Sequence, residues 1–268
     1  PCKHWKRLSR HLSELNGYSG LVSWSGSCFE YLMPNIIMPE QPNSLIFESN
    51  RYAIYCQRMR TRRNKKPWGI SESCYFAFDS ALNYQYKAHG VASLALKAGV
   101  NEELVVSPYS TYLALISEPQ KAIKNLKELD MLDVNGRYGL YEAIDFTHQR
   151  LPAGEKYKTV KAYMTHHMGM SLCAIGNTLN YSENGGYLCD LFVKEPILSS
   201  CESLLCERVP INAVNITTMK PTPSIKKPAN LINGYSYIIE KYNFWLPACN
   251  ISTNKRYSVL SSASGITR

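Results

Sequence analysis

The chain has 268 residues, 45% hydrophobic and 11% aromatic with 19 Tyr, an inventory that supports a packed core and excludes a disordered protein. Its 30 Lys and Arg against 21 Asp and Glu give a formal charge of +9, which fits an anionic partner or simply a basic surface. Nine Cys with no C-x-x-C pair and no zinc-type Cys/His spacing exclude a disulfide-dense secreted scaffold; they read as buried thiols in a reducing, cytoplasmic compartment, and the sequons at Asn180, Asn215 and Asn250 then read as chance matches.

The opening Pro1-Cys2-Lys3-His4-Trp5 reads as the interior of a helix-bearing segment, so a fragment of a longer protein is expected. Residues 23–34 form a first loop rich in Ser, Gly and aromatics that contains Glu30. Arg58, Arg60, Arg62, Arg63, Lys65 and Lys66 crowd one stretch. It lacks the interleaved aromatics that stack on bases, so it is read as a solvated loop and no nucleic-acid partner is expected. A second aromatic loop, 67–79, carries Glu72 and ends at Asp79.

Ser107-Pro108 predicts a helix start, with a hydroxyl cap, Pro in the first turn, and Tyr109, Tyr112, Leu113 and Ile116 at helical spacing. Glu118-Pro119 restarts the pattern, with Ala122, Ile123, Leu126, Leu129 and Leu132 in one apolar stripe. A third loop, 137–145, holds Glu142 and Asp145. Helices are predicted again over 158–179 and 196–207. Successive helices joined by turns favour an all-α domain. Pro210, Pro221, Pro223 and Pro228 then mark a linker, and Tyr235–Ile239 and Arg256–Leu260 alternate as strands do.

Glu30, Glu72 and Glu142 stand out because each sits in an aromatic or glycine-rich loop. Glycoside cleavage needs one carboxylic acid to protonate the leaving oxygen and a second carboxylate to attack the anomeric carbon or activate water. A pair from these loops could supply both, although a Glu near a helix start also serves as a backbone cap. Adjacent His166 and His167 on a helix point about 100° apart, which argues against a shared metal ion. One of them facing inward as a hydrogen-bonding group suits the pattern better. No phosphate-cradling or dinucleotide-binding glycine motif is present, so no cofactor is expected. No window approaches the roughly 18 to 20 apolar residues of a bilayer span.

Five segments in order, Ser23-Trp24-Ser25-Gly26-Ser27-Cys28-Phe29-Glu30-Tyr31-Leu32-Met33-Pro34, Trp68-Gly69-Ile70-Ser71-Glu72-Ser73, Tyr84-Gln85-Tyr86-Lys87-Ala88, Tyr138-Gly139-Leu140-Tyr141-Glu142-Ala143-Ile144-Asp145 and Tyr163-Met164-Thr165-His166-His167-Met168-Gly169-Met170-Ser171, resemble the glycoamylase-like domain of cyclic β-1,2-glucan synthases. Cys28, His89 and the basic 58–66 run depart from that family's usual residues. The resemblance implies a mainly α chain, with a partial (α/α)6 barrel over 1–209, a linker over 210–234 and the first strands of a β-sandwich over 235–268. It implies a β-glucan substrate and retaining transglycosylation, with Glu72 as acid/base and Glu142 as nucleophile. Trp24, Glu30, Trp68, Asp145, His166 and His167 would line the site. It also implies a membrane-anchored parent whose anchor lies outside this segment, on the cytoplasmic side of a bacterial inner membrane.

Overall fold

The computed structural model describes residues 11–208, 216–217, 249–253 and 256–262. By compactness the chain divides into two units, 1–220 and 221–268. The first unit opens with a hairpin of β1 (Leu12–Leu15) and β2 (Tyr18–Leu21). Asn16 and Gly17, at φ of 55° and 77°, make the two-residue left-handed turn that matches strand twist. The hairpin lies on α2 (Leu45–Arg62), so closely that a Cβ on Gly20 would come within 2.7 Å of the Tyr52 ring. Ser44 caps α2 by accepting from Phe47 N–H at 3.1 Å. Before it comes the short α1 (Cys28–Leu32).

After α2 the chain makes a hairpin of β3 (Glu72–Phe78) and β4 (Tyr84–Ala88), with Cys74 opposite Tyr86. The 67–79 segment therefore becomes a strand in its second half, where Cys74, Tyr75, Phe76 and Phe78 are residues that fit a pleated surface. The 58–66 run is a loop only in its second part, where 63–66 leave the helix as a largely exposed turn. Arg58–Arg62 form the last turn of α2, an end whose partial negative charge favours cations.

β5 (Val105–Val106), β8 (Ala143–Asp145) and β9 (Lys158–Val160) form an antiparallel sheet with β8 in the centre. Between them run α3 (Pro108–Leu113), α4 (Pro119–Asp130) and the small hairpin of β6 (Asn135–Gly136) and β7 (Gly139–Leu140). The helix expected over 158–179 begins only at Thr165: α5 spans Thr165–Leu179, because Thr159 and Val160 pair with β8. Past it lie α6 (Tyr187–Lys194), α7 (Pro196–Ser199) and α8 (Glu202–Leu205), so the single helix expected over 196–207 is two short ones. A strand β10 (Ile216–Thr217) runs parallel to β1.

The described residues thus combine helices with several short sheets. The core gathers α1 to α5 around fully buried Leu32, Tyr52, Ile54, Leu113, Leu129 and Ile144. Truncating one of these leucines to Ala would cost about 2–5 kcal/mol. In the second unit β11 (Cys249–Thr253) pairs antiparallel with β12 (Ser258–Ser262), close to the strand expected over 256–260. The strand expected over 235–239 and the helical opening lie outside the described residues. No helix among the described residues is long and apolar enough to cross a membrane.

Candidate active site

Glu142 immediately precedes the central strand β8 and is held by its backbone: its N–H donates to the Ala162 carbonyl at 3.0 Å, and its carbonyl accepts from Ser107 Oγ at 2.8 Å. The Ser107 hydroxyl expected to cap α3 is used here instead. The Glu142 side chain is 2% exposed, and both its oxygens lie 3.0 Å from His167 Nδ1. Cys74 N–H donates to Oε1 at 3.2 Å. A buried carboxylate needs such partners, since desolvation without them costs several kcal/mol.

His167, in the first turn of α5, is 2% exposed. The Tyr109 ring stacks on it at 3.7 Å with planes 11° apart, and Tyr86 Oη lies 3.4 Å from Nε2. The Tyr109 hydroxyl turns the other way, 2.8 Å from Ser71 Oγ and 3.1 Å from the Glu72 carbonyl oxygen. Tyr86 meets Glu72 as well. Burial, the Glu72 and Glu142 charges and a hydrogen bond to Glu72 push its phenol well above the ordinary tyrosine value, so it stays a neutral donor. His166, exposed beside His167, is held below the ordinary histidine value by burial and by His167, against the pull of Glu142 and Glu72. The structure therefore brings Glu72 and His167 to one phenol, with Glu142 and His166 each set against His167.

Beside this cluster opens a cavity of about 160 Å3, lined by Glu142, His167, Tyr109, Tyr138, Tyr141 and Tyr163 among others. Tyr163 packs edge-on against Tyr138 and tilted against Tyr141, and its Oη accepts from Tyr138 N–H at 3.3 Å. Aromatic walls with a few convergent polar groups are the usual make-up of a small-molecule pocket.

Of the expected site residues Glu142 and His167 line this cavity, while Glu72, His166, Glu30, Asp145, Trp24 and Trp68 lie outside its lining. Glu30 completes a capping box at α1, accepting from the backbone of Ser25 (3.0 Å) and Ser27 (2.9 Å) and from the hydroxyls of Ser23, Ser25 and Ser27. Burial works to raise its carboxyl, but these hydrogen bonds outweigh it and hold the group below the ordinary carboxylate value. Asp145 is fully buried and engaged by Arg150 Nε at 2.8 Å, Phe76 N–H at 3.0 Å and Thr147 N–H at 2.9 Å. Trp24 is 67% exposed on the loop before α1. Trp68 is buried, its backbone clamped by Asn125.

Tyr86 and Tyr109 were not singled out from the sequence as site residues. Tyr86 reaches the site through the β3–β4 register and Tyr109 through α3–α5 packing, neither of which leaves a local signal. Their only trace is position, within the 84–88 alternation and directly after Ser107-Pro108. Among the described residues no group of three or more His, Cys, Asp or Glu side chains is arranged to hold a metal ion.

A family model for glycoamylases, described as "Putative glucoamylase", matches residues 2–194. Over 266 residues, 99% of the chain, the sequence is 35% identical to the cyclic beta-(1,2)-glucan synthase NdvB of Rhizobium meliloti (strain 1021), and it spans 9% of that protein's length. A Bacteroides caccae structure carrying the same glucoamylase description aligns with a TM-score of 0.51 at 17% identity, covering 74% of this chain and 46% of its own. A beta-1,2-glucanase from Parabacteroides distasonis aligns with a TM-score of 0.50 at 16% identity, covering 72% of this chain and 26% of its own. At these identities the structural likeness is one of fold.

Proposed function

Because the chain belongs to the glycoamylase family, we propose that it is a glycoside-cleaving and glycoside-transferring segment acting on β-1,2-glucan chains, with Glu142 and Glu72 as its working carboxylates. The observation that carries this reading is the Glu142–His167 pair at the wall of an aromatic cavity, joined to Glu72 through the Tyr86 phenol. The substrate class rests on what the relatives are named for, a cyclic beta-(1,2)-glucan synthase and a beta-1,2-glucanase. We take the helices of the first unit as part of an (α/α)6 barrel, and the 249–262 hairpin as the opening of a β-sandwich.

In the proposed reaction the ionised Glu142 attacks the anomeric carbon while the glycosidic C–O bond breaks, and Glu72 gives its proton to the departing oxygen. The resulting glycosyl ester on Glu142 is then attacked by an acceptor hydroxyl whose proton returns to Glu72, which restores both groups. An acceptor from the same chain closes a ring; water would give hydrolysis. Sugar faces would stack against Tyr138, Tyr141 and Tyr163, which also excludes water from the ester.

The test is incubation of linear β-1,2-glucan with the wild-type protein and with Glu142→Gln and Glu72→Gln, reading products by chromatography. Ring or shortened-chain formation lost in both variants, with glucan still bound, supports the reading. Unchanged products would sink it. The deep engagement of Glu142 by His167 and Cys74 also suits a binding-only site, and glucan bound without turnover by the wild type would establish that second reading.

A further inference from the structure

Away from the Glu142 cavity, a groove of about 870 Å3 runs between the C-terminal end of α2 and the exposed side of α4, with Phe146 and Tyr157 on its far wall. Its volume falls within the roughly 300–1,000 Å3 typical of ligand pockets. Arg58, Arg62, Lys65, Lys66, Lys124 and Lys156 all line it, and the one carboxylate among the lining residues is Glu128. Lys121, also on the groove, is paired with Glu118, but among the described residues none of the other six makes an ion pair. The α2 dipole favours the cations at its own end. It does nothing for those on α4, whose first turn carries Lys121 and no acid, at the helix end where positive charge is disfavoured. Lys65 keeps its place on a left-handed backbone, φ 48°, that a non-glycine residue rarely adopts.

The floor is built rather than incidental. Asn125 accepts from Trp68 N–H at 3.0 Å and donates to the Trp68 carbonyl at 2.8 Å and to Thr111 Oγ1 at 2.9 Å, locking α4 to the 67–71 segment. Lys66 stands over the Phe146 ring at 4.7 Å. Like charges in a concavity with low-dielectric walls repel one another and concentrate their field on whatever enters. We propose that this groove binds a soluble ligand carrying two or more phosphate groups. One phosphate would leave most of the cations unpaired, whereas two or three supply enough negative charge for most of them. The concave shape, rather than a flat basic face, favours a small soluble ligand over a membrane surface.

Calorimetric titration of the full chain with sodium tripolyphosphate, at low and at raised salt, tests this. The expected result is saturable binding that weakens with salt, and that Lys65→Glu/Lys124→Glu weakens by roughly tenfold or more. Lys97→Glu/Lys194→Glu, which makes the same change in net charge on exposed residues outside the groove lining, should bind like wild type. Glu142→Gln should also bind like wild type, which separates this site from the glycoside reading. Equal weakening in both charge-reversal variants, or no saturable binding by wild type while anionic vesicles do bind, would overturn the proposal.

Discussion

His167 presents Nδ1 at 3.0 Å to both carboxyl oxygens of Glu142, so one imidazole edge fixes the plane of that carboxylate. In the reaction proposed above, Glu142 held this way attacks along one line only, and small misplacements are costly: about 1 Å of drift can lower the rate by ~10²-fold. His167→Ala should therefore lower kcat on β-1,2-glucan by about that factor with a modest change in KM. His167→Gln, whose amide can donate to the carboxylate, should recover part of it. Steady-state kinetics decide; a large KM rise with kcat unchanged would make His167 a sugar contact instead.

The Tyr86 hydroxyl meets Glu72 and lies 3.4 Å from Nε2 of His167, whose other ring nitrogen holds Glu142. Tyr86→Phe keeps the ring on the β4 edge and removes only that donor, so the fold should hold while kcat drops by roughly tenfold or more. Because burial and carboxylate charge raise its phenol, no ordinary tyrosine ionisation should limit wild-type activity on the alkaline side. Ultraviolet titration should find Tyr86 among the last tyrosines to ionise, and Tyr86→Phe should delete that late component. Loss of an early component would contradict the placement.

The Glu30 capping box makes a prediction about stability rather than rate. Its folded carboxyl lies below the unfolded value of about 4.3, so its contribution is present above that pH and lost as pH falls through the folded value. Glu30→Gln should cost about 0.5–2 kcal/mol near neutrality, and the gap from wild type should close as the solution is acidified below about pH 4. Denaturant melts across pH measure it. A gap that widens in acid would reverse the assignment.

Tyr138 is 61% exposed at the cavity rim, so its removal should leave the core intact. Tyr138→Ala should raise KM for glucan severalfold, in keeping with about 0.5–1.5 kcal/mol of lost ring contact, with kcat nearly constant. Unchanged KM would place the sugar elsewhere.

The legibility of the chain follows from where its apolar residues fall. α4 is plain in the sequence because Ala122, Leu126 and Leu129 repeat at helical spacing behind Glu118-Pro119. α2, the longest helix among the described residues, is not singled out there, because it buries Ser49, Asn50, Gln57 and Thr61 alongside Tyr52 and Cys56. Gln57 is satisfied outside the helix by the backbone of Ile70 and Asn50 by Glu40, whereas Thr61 and Ser49 donate back to carbonyls of the helix itself. The error over 158–164 has a related cause: Val160 and Tyr163 fit a helical stripe until the pairing of Thr159 with Ile144 is known. Glu72, Glu142 and His167 could be picked out by their motifs. What Glu30 and Asp145 do, sealed by Ser25 and Arg150, depended on neighbours that only folding supplies.

Tyr109 touches both halves of the site, its ring face lying on His167 and its hydroxyl reaching the backbone of Glu72. One side chain of α3 thus ties the supports of the two proposed carboxylates together, as a single pin passes through both leaves of a hinge.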